Sequence, residues 1–133
     1  MRRTFSALIA SLALAACSTS PLPEDVTVEG RIAAEGSQVA NGQSVRVGPA
    51  ILTPLRVTED SRCPINARCV WAGEAKVDTR IETATGRQVV ELTLGEPHAT
   101  AAGTFALVTV EPGQRASVPE IPPEAYRFVF EYR

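Results

Sequence analysis

Gly73-Glu74-Ala75-Lys76-Val77-Asp78-Thr79-Arg80-Ile81-Glu82 alternates small or apolar residues with charged ones at almost every step. Successive side chains of an extended strand point to opposite faces, so Gly73, Ala75, Val77, Thr79 and Ile81 share one face and Glu74, Lys76, Asp78, Arg80 and Glu82 the other. The period is two, and the stretch predicts a half-buried β-strand. Thr83-Ala84-Thr85-Gly86-Arg87 then reads as a turn, with Val90, Leu92 and Leu94 on the returning strand of a hairpin.

The same period extends in both directions. Val26, Val28 and Ile32 alternate with Thr27, Glu29 and Arg31, and Val45 and Val47 with Ser44 and Arg46, before Gly48-Pro49 stops the segment. Ile51 to Val57 is a further apolar run containing Pro54, which predicts an edge, bulged or broken strand there. Phe105 to Val110 is apolar at nearly every position and predicts a strand covered on both faces. Pro112, Pro119, Pro122 and Pro123 favour an extended connection. Tyr126, Phe128, Phe130 and Tyr132 share a face of the closing strand, which is expected to dominate the core. About seven short strands and no helical pattern predict an all-β domain over residues 26–133, a small β-sandwich of immunoglobulin-like arrangement.

The chain opens differently. Met1-Arg2-Arg3 is basic, Thr4 to Leu14 is apolar, and Leu14-Ala15-Ala16-Cys17 brings small residues before a cysteine, the three-part layout of an export signal. Eleven apolar residues make a helix of about 16 Å, half of what a bilayer core needs. Leu14-Ala15-Ala16-Cys17 resembles the lipobox of bacterial lipoproteins. The resemblance implies cleavage after residue 16, a diacylglycerol thioether on Cys17, and acylation of the new amino terminus. Two or three acyl chains hold a protein stably where one does so marginally. Ser18 in place of aspartate implies, in a Gram-negative cell, the outer membrane facing the periplasm. Residues 17–25 then read as the lipidated cysteine and a flexible tether. Loss of residues 1–16, with Arg2 and Arg3, moves the formal charge from -2 to -4.

Between the Pro54 strand and the hairpin lies Glu59-Asp60-Ser61-Arg62-Cys63-Pro64-Ile65-Asn66-Ala67-Arg68-Cys69-Val70-Trp71. Cys63 and Cys69, in a chain exported to an oxidising compartment, are most simply a disulfide. A structural zinc site needs four ligands, and only His98 could join these thiols. A redox pair usually has two intervening residues, not five. Glu59-Asp60-Ser61-Arg62-Cys63-Pro64 followed by Cys69-x-Trp71-Ala72-Gly73-x-Ala75-x-Val77 resembles the signature of a family of small uncharacterised bacterial exported proteins and lipoproteins. That resemblance implies a single β-rich domain and no known activity. Two readings of the loop stay open. In one, the carboxylates cap turn amides, Arg62 pairs with a carboxylate and Trp71 packs over the disulfide. In the other, Asp60, Arg62, Arg68 and Trp71 belong to a recognition loop that the staple holds ready, arginine and tryptophan being common binding hot spots.

Enzyme chemistry finds little to work with. The 133 residues include a single histidine, and there is no Gly-x-Ser-x-Gly elbow, phosphate-binding glycine loop or His-Glu-x-x-His pair. His98, within Gly95-Glu96-Pro97-His98-Ala99-Thr100, reads as a solvated loop residue. The slightly acidic balance disfavours nucleic acid as a partner. The expectation is a non-catalytic binding or structural module with no catalytic residues, metal or cofactor. It would be held at the membrane by its lipid anchor and contact an envelope protein, a foreign enzyme or a wall component. A periplasmic hydrolase or metal-binding accessory protein is the alternative.

Overall fold

A computed structural model describes residues 31–133. Cys17, the tether and the expected strand positions Val26 and Val28 lie outside the described residues. Seven strands follow in chain order: β1 (Val45–Val47), β2 (Ala50–Asp60), β3 (Ala75–Thr83), β4 (Gly86–Thr93), β5 (Pro97–Thr100), β6 (Gly103–Glu111) and β7 (Arg127–Tyr132). They form two antiparallel sheets, β1-β2-β3-β4 and β5-β6-β7, which makes the domain a small β-sandwich. Sheet neighbours are always consecutive strands. This up-and-down order replaces the Greek-key connections of an immunoglobulin arrangement.

The alternation in β3 does what its sequence predicts: Ala75, Val77, Thr79 and Ile81 are all buried while the residues between them are not. Opposite them the second sheet contributes Phe105, Leu107, Val110, Phe128 and Phe130, and Leu52 and Leu92 complete the middle. Tyr126, Phe128 and Phe130 lie ring beside ring along the closing strand, with centroids 6.1 and 6.4 Å apart. Tyr132 stands at the rim, its ring 5.5 Å from that of Phe105.

One expectation narrows, one holds in part and two change. Pro54 lies in the second strand of its sheet rather than at an edge, beside a register shift between Pro54 and Arg56. Of the three forms expected there, the bulge is the one found. Its carbonyl accepts from the Gly42 amide, and N and C=O of a strand residue face the same side. The missing amide hydrogen therefore points past the end of β1, where no ladder bond is lost. In β6 a register shift between Leu107 and Thr109 lets Phe105, Leu107 and Val110 share the core face. Ala106, on the opposite face, is fully buried as well, so the strand is covered on both faces over Phe105–Leu107, as its apolar run predicts, while Val108 and Thr109 are only half-buried. Finally, residues 97–100 form β5, placing His98 opposite Phe105 on a half-buried strand instead of in a solvated loop. Ile32, expected in a first strand, belongs to none and is exposed.

Candidate functional site: the stapled loop

β2 runs out at Asp60 and β3 begins at Ala75, so the sandwich hands the Cys63–Cys69 segment to one of its ends. Asp60 and Arg62 are two residues apart in extended backbone and face the same side. There they form a forked pair: Arg62 Nε donates to Asp60 Oδ1 at 2.7 Å and Nη2 to Oδ2 at 2.8 Å. The remaining Arg62 hydrogens reach the carbonyls of Val110 and, at 3.0 Å, Pro112. Tyr126 Oη donates to Asp60 Oδ2 at 2.9 Å, and the Gln114 amide donates to the Asp60 carbonyl. The end of β2 is thereby tied to β6, to the 112–114 segment and to the start of β7.

The pair is shielded from water, with side-chain exposures of 7% for Asp60 and 15% for Arg62. Burial pushes the Asp60 carboxyl up, but Arg62, Tyr126 and Gln114 together hold it below its ordinary value. The hydrogen bonds from Arg62 to Asp60 raise the guanidinium in turn, against its own burial. Burial and the Asp60 contact push Tyr126 up to about 12. Outside the knot, Lys76 bridges Glu74 at 2.9 Å and Glu59 at 3.1 Å.

The loop beyond is tied at several further points. Cys63 and Cys69 form a disulfide with Cα atoms 5.9 Å apart. The Cys63 amide donates to the Ala72 carbonyl, Ser61 exchanges backbone and hydroxyl bonds with Glu74, and Ile65 donates to Gln114. Asn66 Oδ1 accepts from the Ala116 amide at 2.8 Å, stitching the loop to the neighbouring 112–119 segment. For a closed loop of seven residues, the chain-entropy account gives a disulfide about 2.4 kcal/mol. Serine at both positions should lower the free energy of unfolding by about that amount in a urea titration.

Gly73 closes the loop against Ser61. Its φ is +69°, and a Cβ there would overlap the Ser61 carbonyl. Gly73→Ala therefore combines left-handed strain with a backbone collision, and should cost roughly 2–4 kcal/mol in the same titration. A smaller loss would mean that the loop can yield.

The four residues expected to act as one recognition loop divide. Asp60 and Arg62 sit inside the knot, where they hold the loop. Arg68 and Trp71 sit outside it, with Trp71 79% exposed, Val70 94% and Ile65 63%. Trp71 does not pack over the disulfide, because the ties that shape the loop leave it on the outer surface. Val70 and Ile65 were not foreseen as surface groups. Apolar side chains are most often buried, and only the route of the chain turns these two outward.

His98 stands elsewhere, at the opposite end of the sandwich. There it borders a cavity of about 260 Å³ with Thr83, Thr85, Arg87 and Thr100. Among the described residues no three His, Cys, Asp or Glu side chains are grouped as metal ligands. None of the described helices is long and apolar enough to cross a membrane. The chain matches no protein-family model, no curated protein and no solved structure.

Proposed function

We propose that this chain is a lipid-anchored lipoprotein of the bacterial envelope that works as a non-catalytic binding module, with the stapled loop as its contact surface. One observation carries the binding reading: two adjacent apolar side chains, Val70 and Trp71, project almost wholly into solvent from a backbone held by a disulfide, a buried ion pair and a series of hydrogen bonds. Exposing such groups disfavours the free protein, and a contact made from an ordered loop forfeits little conformational entropy. That combination suits a surface awaiting a partner. The anchor rests on Leu14-Ala15-Ala16-Cys17 after a basic, then apolar, leader. The signature from Glu59 to Val77 fits small exported proteins of the same kind.

Two measurements in living cells test the two halves. A palmitate analogue should label the parent, and Cys17→Ser should abolish the label and release the chain from the membrane fraction. Persisting label would overturn the anchor. A photo-crosslinking residue in place of Trp71 should give an adduct, while the same residue in place of Val89, exposed on β4, should give none. Equal behaviour at the two positions would sink the contact surface.

A further inference from the structure

We infer that the stapled loop docks on an anionic phospholipid surface, immersing Trp71 and Val70 while Arg68 and Arg115 meet the headgroups. This rests on the reading of the loop as a contact surface and names what it contacts.

Charge complementarity points to that occupant. The chain as a whole is acidic, yet residues 61–73 and 112–119 contain no aspartate or glutamate. These two segments lie side by side through the Ile65–Gln114 and Asn66–Ala116 hydrogen bonds. Between them they carry three arginines, of which Arg62 is neutralised inside the knot by Asp60. Arg68 and Arg115 are exposed and form no ion pair among the described residues. Val70, Trp71, Ile65 and Val118 are the exposed apolar groups around them. Tryptophan and arginine are the side chains that favour the boundary between headgroups and acyl chains. A fluid surface accepts protruding side chains without a matching pocket, whereas a folded partner must supply one.

The course of the chain agrees. Ala33 bridges Val45 in parallel, and β1 runs away from the stapled end towards the turn at Gly48-Pro49. The backbone at Arg31 therefore enters from the side of the stapled loop. The residues from Cys17 to Arg31 can span at most about 50 Å, so an anchor at Cys17 permits the loop to reach the same bilayer.

Trp71 is the only tryptophan of the chain, so its emission reports the loop alone. The full-length protein is titrated with vesicles of phosphatidylglycerol and, separately, of phosphatidylcholine. Any association through residues 1–30 is common to parent and variants and does not by itself move the Trp71 signal. Phosphatidylglycerol should shift the emission to the blue, and brominated acyl chains should quench it. Each cation near an anionic surface is worth roughly fivefold in partitioning, so Arg68→Gln with Arg115→Gln should raise the lipid concentration at half-shift about 30-fold. Salt at about 1 M should have a similar effect, since the screening length falls to about 3 Å. Val70→Asp, at a site with no packing to lose, should abolish the quenching. Equal shifts with the two lipids, or none with either, would overturn the inference. If Trp71 then still forms a protein adduct in cells, the binding module stands and the lipid surface does not; if it forms none, both fail.

Discussion

Replacing Asp60 with alanine lowers the stability of the domain by about 3–5 kcal/mol, more than any surface substitution in the loop. The reason is what stays behind. Arg62 remains enclosed with its charge and loses both oxygens of its forked partner, while Tyr126 Oη loses its acceptor. A domain of this size has about 5–15 kcal/mol in total, so the variant is partly unfolded at modest temperature. Asp60→Ala combined with Arg62→Ala should cost less than the two single effects added, because the double variant encloses no lone charge. Additive losses in chemical denaturation would contradict the picture of one coupled knot.

The sign of the pH dependence follows from the depressed Asp60 carboxyl. Its contribution is fully present above the ordinary aspartate pKa of about 3.9, and is lost as the pH falls through the lower value of the folded state. The parent should lose stability on acidification below about pH 4, and Asp60→Asn should flatten that limb. An unchanged acid limb would remove Asp60 from the account.

Phe128→Ala is the second large effect, about 3–5 kcal/mol. Phe128 is wholly buried between Tyr126 and Phe130 and spans the space between the sheets. Its backbone also exchanges two hydrogen bonds with Val39, tying the segment before β1 to the second sheet. At about 4–8 °C per kcal/mol, thermal unfolding of a domain this size should fall by 12 °C or more. Trp71→Ala, by contrast, removes a large side chain that packs little, and should leave the midpoint within the few tenths of a kcal/mol typical of surface changes. The contrast between two aromatic residues of one chain separates groups that build the domain from groups it displays.

Sequence reasoning reached the sandwich because the alternation in β3 and β7 is local: each side chain's face follows from its neighbours two positions away. In β6 the apolar run marks the stretch from Phe105 to Leu107 that is covered on both faces, but no local pattern places the bulge between Leu107 and Thr109 that breaks the period. Sequence reasoning missed β5 because Gly95, Pro97 and a polar run resemble a loop, and the strand is stabilised by its pairing with β6. At the loop, Asp60 and Arg62 could be paired from their spacing. Their other partners, Val110, Pro112 and Tyr126, are 48, 50 and 66 residues away, and no local pattern encodes those contacts. The outward turn of Val70 and Trp71 is equally invisible, since burial depends on what the rest of the chain places nearby.

The central claim is that the loop is already shaped before any partner arrives, and amide hydrogen exchange of the free protein tests it most directly. Ser61, Cys63 and Ile65 donate to Glu74, Ala72 and Gln114. The account predicts that these amides exchange far more slowly than in an unstructured peptide and lose that protection when Asp60 is replaced by alanine. Exchange at unprotected rates in the parent would contradict it, leaving a mobile loop in place of a built surface.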